Sequence, residues 1–340
     1  MADSMTYRLH VTATVSFYLV AALAMVMVNK WVLNVTSVPL FFLFTQLIIA
    51  VILFFLGHTL KIITAPMIRV DLPIVKGLAS TVILNVLSLS TSNYSLKFVD
   101  ASFYQVARGL VLPFTVLTSY VMLRTRPSFR ILVSCSVVTS GFFIGVFLDK
   151  VHVSGLGILF GISSSLMSAL HAAVMKRGFQ VVEGSALSMS WYSNLLSSVL
   201  LLPFIIIFGE GPAVLDILSG RAEGLQTFLV GSAITGTVGF LLSIALALSI
   251  KVTSPISHMI SSAVRGVAAS VLGVALFGDI LTSDRVSAII LILGGSIYYT
   301  WIKHVESTAS PPPRQYEPVP MEKLEDGVGE KGQEQMKSEP

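Results

Sequence analysis

Charged side chains are scarce in this chain of 340 residues: Asp, Glu, Lys and Arg together make up 12%, against roughly a quarter in soluble domains. Too few are present to solvate the surface of a water-soluble fold of this size. Apolar residues supply 54% and the mean hydropathy is +0.83, which reads as a polytopic membrane protein. The single cysteine, Cys135, excludes an intrachain disulfide and argues against a thiolate metal cluster. HExxH, GxxxxGK[ST] and GxSxG motifs are absent, as are paired carboxylates within the apolar runs. The chain is therefore expected to be no enzyme and to need neither cofactor nor metal. The formal net charge of +4 does not point to nucleic acid, because the basic residues sit between apolar runs and do not share one face.

What is abundant is long apolar sequence. A helix needs about 20 apolar residues to cross ~30 Å of hydrocarbon. On that criterion the sequence divides into ten spans, at 9–33, 37–57, 74–95, 101–123, 129–147, 154–175, 187–208, 225–248, 255–277 and 285–303. The first lacks the small-residue cleavage pattern of a signal peptide and reads as a retained helix. Residues 1–8 form a short N-terminus, and from His304 the composition turns to Pro, Glu and Lys, which predicts a disordered tail over 304–340.

Ten spans put both termini on one side. The loops on that side carry nine Lys and Arg, and those opposite carry four, namely Lys97, Lys150, Arg221 and Arg285. The positive-inside rule places both ends in the cytosol. Two sets of five, 9–150 and 151–303, must be inverted relative to each other. An internal echo agrees: span four carries Arg108-Gly109 and span nine carries Arg265-Gly266. The expected fold is an all-α membrane protein of ten transmembrane helices arranged as two inverted five-helix repeats, with a substrate site near the midplane between them.

Arg265 is the sharpest chemical signal. An arginine at a helix centre costs on the order of 2.5–3.5 kcal/mol on insertion scales and faces protein interior or a wet cavity. Its planar fork grips phosphate through two hydrogen bonds and keeps its proton. The bland alternative is a guanidinium bonded to carbonyls or to an acid on another helix, yet the spans contain no central Asp or Glu. Arg108 lies about one helical turn shallower. Lys30 sits late in span one, where its stem can snorkel to headgroups or supply a second phosphate contact. In span seven, Ser190-Trp191-Tyr192-Ser193-Asn194 combines flat faces with an amide, the parts needed to stack a base and read its edge, although interfacial anchoring yields the same cluster. Tyr104 and Gln105 share that ambiguity. His171 and His258 read as interior histidines, not metal ligands. The GxxxG spacings at Gly141–Gly145 and Gly157–Gly161 mean close helix packing more often than a dimer, and a homodimer is compatible with them.

Several stretches together resemble the Golgi nucleotide-sugar transporters of the drug/metabolite transporter superfamily, in the branch of the GDP-fucose transporters and plastid phosphate translocators. They are Val28-Asn29-Lys30-Trp31, residues 102–108, residues 168–177, Thr253-Ser254-Pro255 with His258, and residues 294–301. The resemblance implies a nucleotide-sugar:nucleoside-monophosphate antiporter in the Golgi membrane, working by alternating access among lipids. It implies that Arg265 holds phosphate, that Tyr192, Ser193 and Asn194 hold the base, and that Ser261, Ser262 and His258 hold the sugar or ribose. Lys30, Tyr104, Gln105 and Arg108 are supporting contacts. Guanine-linked relatives carry Phe-Tyr-Asn-Asn in span seven and a lysine in span nine. This chain has Trp191-Tyr192-Ser193-Asn194 and Arg265 instead. These departures favour UDP-galactofuranose exchanged for UMP, with a GDP-fucose/GMP antiporter or an organic-phosphate antiporter of the same fold as alternatives.

Overall fold

The computed structural model describes the backbone of residues 2–63, 71–149, 153–221, 223–252 and 255–309, with side chains for these except 2–15, 123, 176, 186, 243–264 and 307–309. Twelve helices run through it: α1 (Ala2–Val35), α2 (Pro39–Thr59), α3 (Leu72–Phe98), α4 (Ala101–Gly109), α5 (Val111–Leu123), α6 (Phe129–Phe147), α7 (Gly155–Val181), α8 (Ala186–Ile207), α9 (Gly211–Leu218), α10 (Leu225–Val252), α11 (Pro255–Phe277) and α12 (Ser283–Ala309). Residues Met1–Ile302 form one compact unit and Lys303–Pro340 another. α1 begins at Ala2, ahead of the apolar stretch Ser16–Val35.

Among the described residues eight helices are long and apolar enough to cross a membrane: α1, α2, α3, α6, α7, α8, α10 and α12. The expectation of an unbroken helix is corrected at one span. Residues 101–123 are two helices meeting at Leu110. The cause is Pro113, which has no N–H to return to the Gly109 carbonyl and whose ring crowds it. The Leu110 N–H instead reaches back only three residues, to Ala107 O at 3.2 Å. The span expected at 255–277 is a single helix, α11, whose side chains are described from Arg265 onward. The sequence between spans seven and eight, expected to be loop, contains α9, which starts with Pro212 in its first turn and buries Ile217.

Outward faces carry Ile62, Phe129, Phe147, Ile206 and Ile207, each at least 74% exposed. Lipid, rather than water, is the solvent such faces require. Inside, α3 packs along α7, α1 against α10 and α11, and α2 against α8 and α10. Glycines let α6 and α7 close on α4, as the GxxxG reading expected. A Cβ on Gly161 would lie 2.8 Å from Ala107 Cβ, and one on Gly145 would lie 2.9 Å from Val106 Cγ1.

The bundle end formed by the α1–α2, α3–α4, α6–α7, α8–α10 and α11–α12 connections is tied by buried polar groups. Arg285, counted above as an ordinary loop cation, is fully buried. Its Nε donates to Asp149 Oδ2 at 2.7 Å, and its Nη1 to Asp100 Oδ2 at 3.1 Å and to Ser102 Oγ at 2.9 Å. Asp279 Oδ2 accepts from the Ser102 N–H at 3.0 Å. Glu210 accepts from the Leu40 and Phe41 N–H groups at the start of α2 and from the Tyr94 hydroxyl. Backbone donors at a helix start have no partner within the helix, so this carboxylate completes them.

Removing one partner from a buried ion pair strands the other charge, at a cost of about 3–5 kcal/mol. Asp149→Asn is expected to lower the melting temperature of the detergent-purified protein markedly. Arg221→Ala should leave it unchanged, since the Arg221–Asp216 pair is 3.9 Å apart with side chains 79% and 53% exposed. Scanning fluorimetry of the two variants checks this. Burial also pushes the Glu210 carboxyl above the usual carboxylate range, against the downward pull of its backbone partners, Tyr94 and Lys97. The folded state then binds this proton more tightly than the unfolded chain. Above the raised value Glu210 costs stability, and that cost is relieved as pH falls toward the ordinary value of about 4.3. Glu210→Gln is expected to remove this gain on acidification, measured as melting temperature against pH.

Candidate functional site

Two cavities lie inside the bundle, and Arg108 lines both. The first, of about 380 Å³, runs from Asn29, Asn93 and Leu96 beside the tied end to Phe179 and Met189 near the α7–α8 turn. The second, of about 290 Å³, lies between α4, α5, α11 and α12 and is lined by Gln105, Thr115, Arg265, Ser296 and Tyr299, with Leu112 and Ile292 among its apolar side.

Arg108 comes late in α4, two residues before the break that Pro113 imposes. Its Nη1 donates to Tyr104 Oη at 3.1 Å, one helical turn back, and the guanidinium lies 5.7 Å from the Tyr104 ring centroid. Tyr104 Oη is in turn hydrogen-bonded to Ser92 Oγ on α3. Arg265 donates to Tyr18 of α1 and lies within electrostatic reach of Arg108 and Tyr104. One arginine from each Arg-Gly pair thus lines the second cavity, each with a phenol as hydrogen-bond partner. Phenols accept hydrogen bonds without cancelling charge, so the junction of the cavities is electropositive and equipped with planar donor forks.

Residues i, i+3 and i+4 share a helix face, and span seven divides accordingly. Ser190, Ser193 and Asn194 line the first cavity. Tyr192 does not: it is 4% exposed, packed with Trp191, Phe54, Leu78 and Met189 in a hydrophobic cluster. It sits on the face of α8 turned from the first cavity. Asn194 Nδ2 donates to Ser190 O at 2.8 Å, one turn back along α8.

Lys30 is also relocated. Neither snorkelling nor a phosphate contact describes it, because it is 6% exposed and its Nζ donates to Leu96 O at 2.9 Å and Val99 O at 2.7 Å. It closes the orphan carbonyls at the end of α3 and lines neither cavity. Tyr104 faces the first cavity and Gln105 the second. The side chains of His258, Ser261 and Ser262 lie outside the described residues.

The sequence did not single out Asn85, Gln46 or Thr235, which also line the first cavity. Asn85 donates to Ser197 Oγ at 3.0 Å and Gln46 to Asn29 Oδ1 at 3.0 Å. Amides within apolar spans were the available signal. His171, read as an interior residue, lines the same cavity. No cluster of three or more His, Cys, Asp or Glu suited to a metal occurs among the described residues.

The Triose-phosphate Transporter family matches residues 9–300. GDP-fucose transporter 1 of Dictyostelium discoideum is 30% identical, covering 87% of this chain and 81% of its own. The Drosophila melanogaster protein named GDP-fucose transporter, Golgi, is 30% identical over 86% of this chain and 89% of its own. A solved crystal structure aligns with a TM-score of 0.53 at 14% identity, over 88% of this chain and 99% of that one, a likeness of fold alone.

Asn194→Ala should weaken any cavity ligand while leaving the melting temperature within about a degree or two, since it removes one exposed-edge amide. Tyr192→Ala is expected to cost about 3–5 kcal/mol of stability as a core truncation. Ligand-dependent and ligand-free thermal shifts of the two variants separate these effects.

Proposed function

The chain belongs to the Triose-phosphate Transporter family, and from that premise we propose that it carries a nucleotide sugar across the Golgi membrane in exchange for the nucleoside monophosphate. The observation that carries the reading is the Arg108–Arg265 pair at the junction of two cavities, with Ser193 and Asn194 lining the larger one. The paired forks suit a diphosphate, and the larger cavity has amides for a base edge. Its volume falls within the ~300–1,000 Å³ usual for small-molecule sites.

The names of the relatives support a guanine nucleotide, GDP-fucose, over the UDP-galactofuranose favoured by the span-seven departures. The Asn29, Gln46 and Asn85 amides lining the cavity can stand in for the amide that span seven lacks. The Drosophila relative's name supports the Golgi. With both termini in the cytosol, the end tied by Arg285 and Glu210 faces the lumen, so the structure corresponds to a lumen-closed state. Reorientation then requires the Arg285–Asp100 and Asp279–Ser102 links, which join the α3–α4 and α11–α12 turns, to part as the two inverted repeats rock about the site. Sugar entry and monophosphate exit each occupy the same cations, so the loaded carrier crosses more readily than the empty one.

Proteoliposomes loaded with GMP are expected to take up labelled GDP-fucose at least tenfold faster than empty or UMP-loaded vesicles. Equal uptake into empty vesicles would overturn the exchange, and stronger stimulation by UMP would return the cargo to a uridine nucleotide. Arg265→Ala should abolish uptake without lowering the melting temperature. A thermal shift with triose phosphate but not with GMP would favour the organic-phosphate reading.

A further inference from the structure

We propose that the segment from Gly209 to Gly220, with α9 at its centre, is a strap that opens and closes the tied end of the first cavity, an inference that rests on the transport reading above. A helix terminator bounds it on each side. The Gly209 N–H returns to Ile206 O and the Glu210 N–H to Ile205 O, both at 3.1 Å, which ends α8. The Gly220 N–H returns to Ile217 O at 3.1 Å and the Arg221 N–H to Asp216 O at 3.0 Å, which ends α9. Both glycines have left-handed backbone, with φ of +70° and +71°. A Cβ on either would meet nothing within 4 Å among the described residues. These glycines serve the turn and not the packing, so the chain can pivot at both without breaking a close contact.

Little fastens the segment between them. Ile217 is the one buried residue of α9, and it enters the cluster of Val32, Leu33, Val38 and Phe228 with Ala213 and Val214 half-buried beside it. Leu215 and Leu218 point away, 70% and 50% exposed. At the root of the strap Glu210 accepts from the Leu40 N–H at 3.0 Å, the Phe41 N–H at 2.9 Å and the Tyr94 hydroxyl at 3.0 Å. One carboxylate therefore clips the start of α2 and the last turns of α3 to the strap. A single core side chain and a single clip suit a segment that opens locally while the bundle stays folded.

Beneath the strap lies a third cavity, of about 460 Å³, lined by the α1–α2 turn from Leu33 to Ser37, by Lys97 and Phe98 at the end of α3, and by Ile217 and Glu223. Asn29 and Leu96 line the first cavity. Leu33 is one helical turn beyond Asn29 on the same face of α1, and Lys97 follows Leu96, so the third cavity continues the first toward the tied end. Withdrawing Ile217 opens this space to water, and Lys97 offers a departing anion a cation on the way. The strap is thus a fastening on α2, α3 and α8, separate from the Arg285 links at α4, α6 and α12.

The test uses the full chain with Cys135→Ser, reconstituted in proteoliposomes of mixed orientation and reacted with a water-soluble maleimide. Ile217→Cys is expected to react slowly at rest and at least threefold faster during exchange of GMP, or of UMP if that nucleotide exchanges instead. Glu210→Gln, which leaves one acceptor oxygen where there were two, should raise the resting rate at position 217 at least fivefold. Ala169→Cys, fully buried in α7, should stay protected throughout. Should Ile217→Cys fail to fold, Ala213→Cys on the same face of α9 decides. Protection of position 217 during measured exchange, an unchanged rate in Glu210→Gln, or a parallel gain at position 169 from general loosening would each overturn the strap. Absence of exchange with either nucleotide in the unmodified protein would instead overturn the transport reading on which the strap rests.

Discussion

Two arginines lining one cavity among apolar helices are the constraint to which the rest of the molecule answers. Each carries an insertion cost of a few kcal/mol, and their mutual repulsion adds to it. The protein meets this with neutral acceptors, Tyr104 for Arg108 and Tyr18 for Arg265, which orient the forks without discharging them. An anion entering the junction relieves both the repulsion and the desolvation. The interior is in this way preorganised for a negatively charged cargo, and the cost of that preparation is carried by the packing around it.

The placement of Arg108 depends on a break in the helix that bears it. Pro113 ends the hydrogen-bond ladder at Gly109, and the glycine faces α12, where a Cβ would come 2.7 Å from Ile292 Cγ2. Gly161 allows α7 to approach Ala107 equally closely. Small residues and one proline thus let the backbone pass through a crowded region while the arginine beside them projects into open space.

Four of the described cations, Lys30, Arg285, Arg108 and Arg265, fall into two groups. Lys30 and Arg285 are consumed by the protein itself, the first by the carbonyls ending α3 and the second by Asp149 and Asp100. Arg108 and Arg265 line cavities. The consumed pair sits at the tied end, where it seals the bundle. The cavity-lining pair sits where a ligand can reach it. The charges that tie the bundle end are therefore different from those that line the cavities.

Composition and periodicity alone determined the solvent, because apolar runs of membrane length have no other stable setting and turn residues mark where they stop. They also identified Arg265, Arg108 and Asn194, since a charge or amide in such a run is expensive wherever it points. Only the tertiary structure decided which way each side chain faces. Tyr192 and Asn194 are two residues apart, yet 100° per residue turns one into the core and the other to the cavity. Lys30 looks like a phosphate ligand until the end of α3 is packed beside it, and Arg285 looks like a loop cation until Asp149 and Asp100, distant in sequence, converge on it. Burial and partnership are properties of neighbours brought in by folding, and a linear pattern holds the cost of a polar group but not the identity of the group that meets it.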